Sequence, residues 1–516
     1  MLSHCLKKSP IASPNRLLLA ALLLVWGIRF LTLGLYPIFD TTEARYAEIP
    51  REMVSSGDWI TPQLDPGLPF WGKPPLSFWI TAVSFRVFGF SEFSARLPHL
   101  LVSLFAVLLV YVTAKRLFGG NAGLLAALIL STTGLFYALS AGIMTDPTLA
   151  TCVTLAMCGF VLSLFGEGSE GGRRFWGYLF FAGAGLAMLA KGPVGLVLIA
   201  LPIGLWLIAA KQWKRAAVSL PWLGGPLLFL AIVLPWYLLA EAKTPGFLDY
   251  FIVGEHFKRF LVPGWEGDMY GNPHEHPRGT IWLFGALSIL PWGLYLAPAF
   301  WGLRREPGAL RTFVRDPLHL FFLLWFLSPL IFFTFSGNII LTYVLPGLSG
   351  FALLGLRIAG QASRASDSRP ATTTRFVHRP AFHWALAGFT PVMFLFAALA
   401  ILPALGERKS HKSLVEALPF FGAPSGTPLY YFEDMPYSAD LYSGGNAHMI
   451  PEDSVEEWLR ITGDDIPDFI VVDEDDLDNL DRVTGRTYVV LMRHDEDLLV
   501  TEGLPAAVEG VSSRDL

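Results

Sequence analysis

The chain has 516 residues, 53% of them hydrophobic and 16% charged, with a net charge of −5 and a mean hydropathy of +0.48. These proportions exclude an ordinary soluble globular protein and define a polytopic α-helical membrane protein. The acidic balance and the lack of a Walker or dinucleotide loop exclude a nucleic-acid surface and nucleotide-driven chemistry, so energy for any reaction must come from an activated substrate.

At the N-terminus Lys7, Lys8 and Arg16 precede an apolar run, Leu17 to Tyr36, that is longer than a signal-peptide core and lacks a small-residue cleavage site, so it reads as a retained first span. Next comes a polar, aromatic-rich stretch at 40–75, DTTEARYAEIPREMVSSGDWITPQLDPGLPFWGKPP. Asp40 and Glu43 open a helix whose Arg45, Glu48 and Glu52 continue on or near one face, and Gly57 is placed to stop it. WITPQL reads as extended, and Pro74-Pro75 favour a new helix start just after Lys73. A lysine at a helix N-terminus is a natural seat for a phosphate. Asp40-x-x-Glu43 also matches a capping box, in which Asp40 caps the helix and Glu43 reaches back. Residues 76–90 hold Arg86 and read as an interfacial helix.

Further spans are expected at 97–114, 122–140, 146–165, 175–190, 193–210, 219–240, 279–303, 318–336, 338–358 and 382–404, about eleven with the first. Basic residues of the short loops (Lys115-Arg116, Arg173-Arg174, Lys211, Lys214-Arg215, Arg304-Arg305, Arg311, Arg315, Arg364, Arg369, Arg375 and Arg379) fall on one side, which the positive-inside rule makes cytoplasmic. The 40–75 loop, Asp146, Lys191, the 241–278 loop with Glu255, His256 and HEHPRG, and Asn338 then share the external side. Each has a plainer reading. Asp146 before Pro147 caps a helix, Lys191 snorkels from a helix end, His256 is a hydrogen-bonded interfacial histidine, and Tyr343 is a packed aromatic. The histidines of HEH at 274–276 read as a wet loop.

Cys5, Cys152 and Cys158 are scattered, which indicates neither a disulfide framework nor a thiolate metal cluster. After Ala404 the chain becomes acidic, with β-like runs PLYYF, DFIVVD and TYVVLM, so residues 405–516 form a small α/β domain beyond a 1–404 membrane domain.

The run TTEARYAEIPREMVSSGDWITPQLDPGLPFWGKPPLSFWITAVSFRVFGFSEFSARLP resembles the first external loop (37–96) of the bacterial aminoarabinose transferases, within the protein-mannosyltransferase-like group of GT-C membrane fold. Asp146-Pro147, Lys191-Gly192, GEHFKRF at 254–260 and TYVLPG at 342–347 support it. The resemblance implies a glycosyltransferase of the bacterial inner (plasma) membrane, its site facing the periplasm, that moves a sugar from a polyprenyl-phosphate (undecaprenyl-phosphate) donor to lipid A or another glycolipid. It implies that Arg45, Lys73, Arg259 and Tyr343 hold the carrier phosphate with help from Lys191, that Asp146 is a second active-site acid, and that His256 matches a position able to join a metal site. The family shows Asp-Glu before x-R-Y where this chain has Thr42-Glu43, so the catalytic carboxylate is either Asp40 or Glu43. Gly72 stands where an acidic residue helps bind a divalent metal, which argues against a metal cofactor here. Competing classes are a mannosyltransferase-like enzyme acting on Ser/Thr hydroxyls and a non-enzymatic lipid or polyprenol transporter.

Overall fold

The computed structural model describes residues 15–502 apart from 66, 263, 264, 266, 268, 271–273, 305–310, 312, 314, 368–379, 425 and 464–466. Arg305, Arg369, Arg375 and Arg379, on which part of the expected orientation rests, lie outside the described residues, as does Cys5. Six helices are long and apolar enough to cross a membrane: Glu92–Phe118, Thr145–Phe165, Pro193–Ala210, Gly224–Lys243, Leu341–Ala359 and Phe382–Lys409. Helices also occupy the other expected positions, at Asn15–Leu31, which stops short of the expected end at Tyr36, and at Ala122–Ser131, Glu170–Lys191 and Pro317–Phe333. The helix Leu76–Phe88 leaves Val83, Val87 and Phe88 exposed, an apolar face suited to a membrane surface.

Two expected spans are not continuous. The 122–140 stretch is a helix only to Ser131 and resumes as Gly134–Leu139. The 279–303 stretch is two helices, Thr280–Ser288 and Gly293–Trp301, bent by 104°. Apolar composition reads through both breaks, because the polar groups there are satisfied within the protein, some by the preceding turn and some by distant segments. The Thr132 and Thr133 hydroxyls donate to the carbonyls four residues back, Trp292 Nε1 donates to Thr132 Oγ1 at 2.9 Å, and Thr390 Oγ1 donates to the Thr132 carbonyl at 2.8 Å. The two breaks also meet directly, where Gly134 N donates to the Leu290 carbonyl at 2.6 Å. A Cβ on Gly134 would lie 2.9 Å from that oxygen, so only glycine fits.

The central helix is Thr145–Phe165, with 94% of its apolar window buried. It lies against Glu170–Lys191 closely enough that a Cβ on Gly159 would come within 2.6 Å of the Phe180 backbone nitrogen. Cys152 and Cys158 are buried free thiols in this packing. Glycines and alanines at the contact let the backbones approach, which is how helices associate in lipid. The arrangement fixes Asp146, in the first turn of one helix, relative to Lys191, the last residue of the other.

The 40–75 stretch folds on the end of the membrane domain where these two residues lie. Its helix, Thr42–Ser56, ends at Gly57 with φ +74, the left-handed stop its sequence indicates. A short antiparallel pair, β1 (Gln63–Asp65) and β2 (Leu68–Pro69), follows, and Pro75 starts the next helix. The capping box is not formed: the N-cap is Thr41, with no side-chain cap bond. Asp40 Oδ1 instead accepts from Ser438 N at 3.0 Å, at the start of the C-terminal helix Tyr437–Ser443. Its capping chemistry serves another element, 398 residues away in the chain.

The C-terminal part is a five-stranded sheet in the order β4-β3-β5-β7-β6, with β3 Leu429–Phe432, β4 Ala447–Ile450, β5 Phe469–Asp473, β6 Val489–His494 and β7 Asp497–Thr501. The three β-like runs of the sequence are β3, β5 and β6. Pairing is parallel across β4-β3-β5 and antiparallel across β5-β7-β6. Leu429, Tyr431, Phe469 and Val471 face one apolar cluster, and Phe432, Ile470 and Val472 face another, so both sides of the sheet are covered.

The junction between this sheet domain and the loop helix is charged. Arg51 Nε donates to both Glu48 oxygens, at 2.9 and 2.8 Å, and Arg51 Nη1 donates to the Gly444 carbonyl at 3.3 Å. Tyr442 OH accepts from Ile38 N at 2.8 Å and donates to Glu92, which also pairs with Lys412 at 2.5 Å. Burial pushes the Glu48 carboxyl from 4.5 up to about 8, with Asp440 beside it adding to the rise and Arg51 opposing it. A carboxyl raised on folding stabilises most below its unfolded value and loses that contribution as pH rises through its folded value. The thermal midpoint should therefore fall as pH is raised from about 5 to 8, and Glu48→Gln should flatten that slope. Melting curves of the purified protein across this range check it, and an unchanged slope in the variant removes Glu48 as the cause.

Candidate active site

Three groups of ionisable side chains come together at the loop-bearing end of the membrane domain. The first joins two helix ends. Lys191 Nζ donates to Asp146 Oδ1 at 2.7 Å and lies 4.6 Å from the centre of the Tyr343 ring, which is itself packed on Phe333 at 4.5 Å. Asp146 is not a cap, because the N-cap is Met144 and the carboxylate is spent on Lys191; nor does Lys191 snorkel, being 12% exposed in its side chain. Thus Asp146, Lys191 and Tyr343, from three separate segments, form one contact set.

The second group is carried by the segment Asp249–Lys258, a π-helix, and the short helix after it. Glu255 Oε1 accepts from both Lys73 Nζ and Arg259 Nη1, the latter at 2.8 Å. Burial favours the neutral acid at Glu255, yet Lys73 and then Arg259 outweigh it and hold the carboxyl below the ordinary glutamate range. The first and second groups are tied through His256, whose Nε2 meets the Lys191 carbonyl at 3.0 Å and whose Nδ1 meets the Phe251 carbonyl at 2.7 Å. With both ring nitrogens on backbone carbonyls, His256 is the hydrogen-bonded histidine of its plainer reading. Among the described residues no group of three or more His, Cys, Asp or Glu side chains is placed to hold a metal ion. Gly72, beside Lys73, supplies no side-chain ligand and both ring nitrogens of His256 are engaged by carbonyls, so these residues do not fit the metal site that the resemblance admits.

The third group holds the loop itself. Arg96, fully buried, donates to the carbonyls of Leu33 (3.0 Å), Tyr36 (2.7 Å) and Pro37 (2.8 Å) and to Glu43 Oε2 at 2.8 Å. Glu43 Oε1 faces Ile143 N at 3.4 Å, three residues before Asp146. Arg45 is not drawn into the Lys73–Glu255–Arg259 cluster; it donates to the Tyr270 carbonyl and lies 5.7 Å from the Tyr437 ring of the C-terminal domain. Asn338 Nδ2 donates to the Arg259 carbonyl at 2.9 Å, which fixes the second group against the membrane helices.

Of the residues singled out in the sequence, Lys73, Asp146, Lys191, His256, Arg259 and Tyr343 are brought together, Glu43 borders them, and Arg45 and Asp40 face the C-terminal domain. Glu255 and Arg96 carry roles the sequence reading left unassigned. The four-residue spacing of Glu255 and Arg259 on one helical face is a signal for the first. An arginine inside an apolar helix is a signal for the second, since it must find partners in the protein.

These features define the class: a multi-pass membrane protein of GT-C type, with its ionisable groups at one end of the helices and a small α/β domain seated there. The fold matches the crystal structure of ArnT from Cupriavidus metallidurans bound to undecaprenyl phosphate, with a TM-score of 0.76 at 21% identity over 94% of this chain and 97% of that one. The model of the dolichyl-phosphate-mannose-protein mannosyltransferase family matches residues 15–251. In sequence, the chain is similar to undecaprenyl phosphate-alpha-4-amino-4-deoxy-L-arabinose arabinosyl transferases: 31% identical over 337 residues to that of Edwardsiella ictaluri, covering 63% of this chain and 56% of the relative. It is 33% identical over 341 residues to the second such enzyme of Sodalis glossinidius, covering 64% and 57%. The matched region thus spans less than three-fifths of either relative's length.

Asp146 and Lys191 are both largely out of water, so removing one charge strands the other. Asp146→Asn and Lys191→Met should each cost about 3–5 kcal/mol, and the double variant clearly less than the sum. A double-mutant cycle on unfolding of the purified protein measures this, and strict additivity would dissolve the pair.

Proposed function

We propose that the chain is an integral-membrane glycosyltransferase that moves a sugar from undecaprenyl phosphate to an acceptor at the external face of the bacterial inner membrane, lipid A or another envelope glycolipid. One observation carries this reading: Lys73, Lys191, Arg259 and Tyr343, from four segments far apart in sequence, gather beside carboxylates at one end of a membrane domain. A site for a membrane-anchored anion needs cations at that depth, and a transporter would more often place its ionisable groups near the bilayer midplane. The names of the relatives support the donor and the sugar class, and the basic loops support the orientation.

In this reading the carrier phosphate leaves the anomeric carbon with the bonding electron pair, and Lys73 and Arg259, with Lys191 nearby, stabilise the charge that develops on it. The acceptor oxygen forms the new bond to the same carbon. If the acceptor is a hydroxyl, Asp146 or Glu43 takes its proton; a phosphate acceptor is already ionised and needs no base. Arg45 acts on the loop through Tyr270, and Asp40 seats the C-terminal domain. The proposed divisions are therefore 1–404 for chemistry and 405–516 for holding the loop, joined through Asp40, Arg51 and Tyr442.

Mass spectrometry of envelope glycolipids with and without the gene tests the activity. Loss of the gene should remove a sugar-bearing species, and a complementing Lys73→Ala copy should be present in the membrane but fail to restore it, with Lys73→Arg restoring part. An unchanged glycolipid profile would overturn the assignment.

The two carboxylates left open by the sequence separate in the same assay. Asp40→Asn keeps an acceptor for Ser438 N and should transfer at near-normal rate, whereas Glu43→Gln should lose on the order of a hundredfold. Turnover of a polyprenyl-phosphate sugar by the purified variants decides, and the reverse ranking assigns the role to Asp40.

A further inference from the structure

Glu255 holds the two cations assigned to the carrier phosphate, yet it has no part in the chemistry above. Lys73 and Arg259 donate to the same oxygen of Glu255, and the second oxygen, Oε2, is buried with no hydrogen-bond partner. Lys73 also donates to the Gly72 carbonyl at 2.7 Å, and the His256 ring pins the segment to Lys191. If the site existed only to bind phosphate tightly, a buried carboxylate against both cations would work against it. The trio carries a net +1, and an anion arriving there is repelled by Glu255 in proportion to its own charge.

That proportionality distinguishes substrate from product. A polyprenyl-phosphate sugar is a phosphodiester with one negative charge, whereas the released polyprenyl phosphate is a monoester carrying roughly −1.5 to −2 near neutral pH. Resting on the carrier reading above, we propose that Glu255 is a positioning residue that keeps Lys73 and Arg259 converged and, through its charge, weakens their hold on the monoester product more than on the diester donor. The group favours product release as well as order in the unliganded site. A purely structural counter-ion has a different signature: neutralising it would loosen the cations and weaken every phosphate ligand alike, leaving the monoester-to-diester ratio unchanged.

The test uses the full-length protein in nanodiscs and two probes of equal chain length, a polyprenyl phosphate monoester and its methyl diester, with direct binding measured for wild type, Glu255→Gln and Lys73→Ala. Glu255→Gln should bind the monoester on the order of tenfold more tightly and the diester by a smaller factor, so the monoester-to-diester affinity ratio rises. In turnover, kcat should fall with KM unchanged or lowered, and added monoester should inhibit the variant at lower concentration than wild type. If Glu255→Gln does not fold, Glu255→Ser takes its place in the same comparison. A ratio that is unchanged or lower overturns the proposal. Failure of the wild type to bind either probe, with Lys73→Ala indistinguishable from it, overturns instead the carrier reading on which the proposal rests.

Discussion

Arg96 lies wholly out of water, and the way its charge is satisfied fixes the start of the external loop. Its guanidinium gathers the Leu33, Tyr36 and Pro37 carbonyls, in the turn that follows the helix Asn15–Leu31, and then Glu43. It also lies over the Tyr36 ring, 3.9 Å from its centre. A buried cation without such a shell would cost several kcal/mol, so the loop helix, the turn after the helix Asn15–Leu31 and the helix Glu92–Phe118 must assemble together. The loop's charged face is thereby set against Ile143 and the first turn that holds Asp146, and the loop's return brings Lys73 to Glu255.

The same pattern recurs through the site. Asp146 with Lys191, and Glu255 with Lys73, are partly or wholly desolvated charges paired across segments remote in sequence, and Arg259 joins Glu255 from one turn along the same segment. Such pairs contribute little net stability over apolar packing, but they are costly to break one at a time, and so they specify geometry. The loop's aromatic layer reinforces this. Phe70 meets Tyr46, Phe78 and Tyr270 edge-on, and Tyr270 OH donates to the Pro69 carbonyl, so the backbone before Lys73 is held from both sides.

Local chemistry was readable in the chain wherever partners are near neighbours. Gly57 as a helix stop, Pro75 as a start with Lys73 before it, and the β-like runs of the C-terminal part all stand where their own residues place them. The capping box at Asp40 and Glu43 fails for the opposite reason: the Asp40 side chain does meet a helix N-terminus, but spacing cannot reveal that the helix begins at Tyr437. The broken spans follow the same rule. Hydropathy integrates over a window and cannot register that Thr132, Gly134 and Leu290 find polar partners in one another's segments. His256 is a candidate ligand only through the family resemblance, and its ring is committed to two carbonyls, from Phe251 and Lys191, that only the folded backbone presents.

The meeting of the two broken helices at Gly134 and Leu290 also bears on how the chain is made. In lipid an unpaired backbone amide has no water to turn to, so the break after Ser131 is poorly tolerated until the segment around Leu290 arrives, more than 150 residues later in synthesis. The contact between the two breaks therefore forms only once the second half of the bundle is in place. Substitutions at Gly134, Thr132 or Trp292 would register as failures of biogenesis before they registered as failures of chemistry.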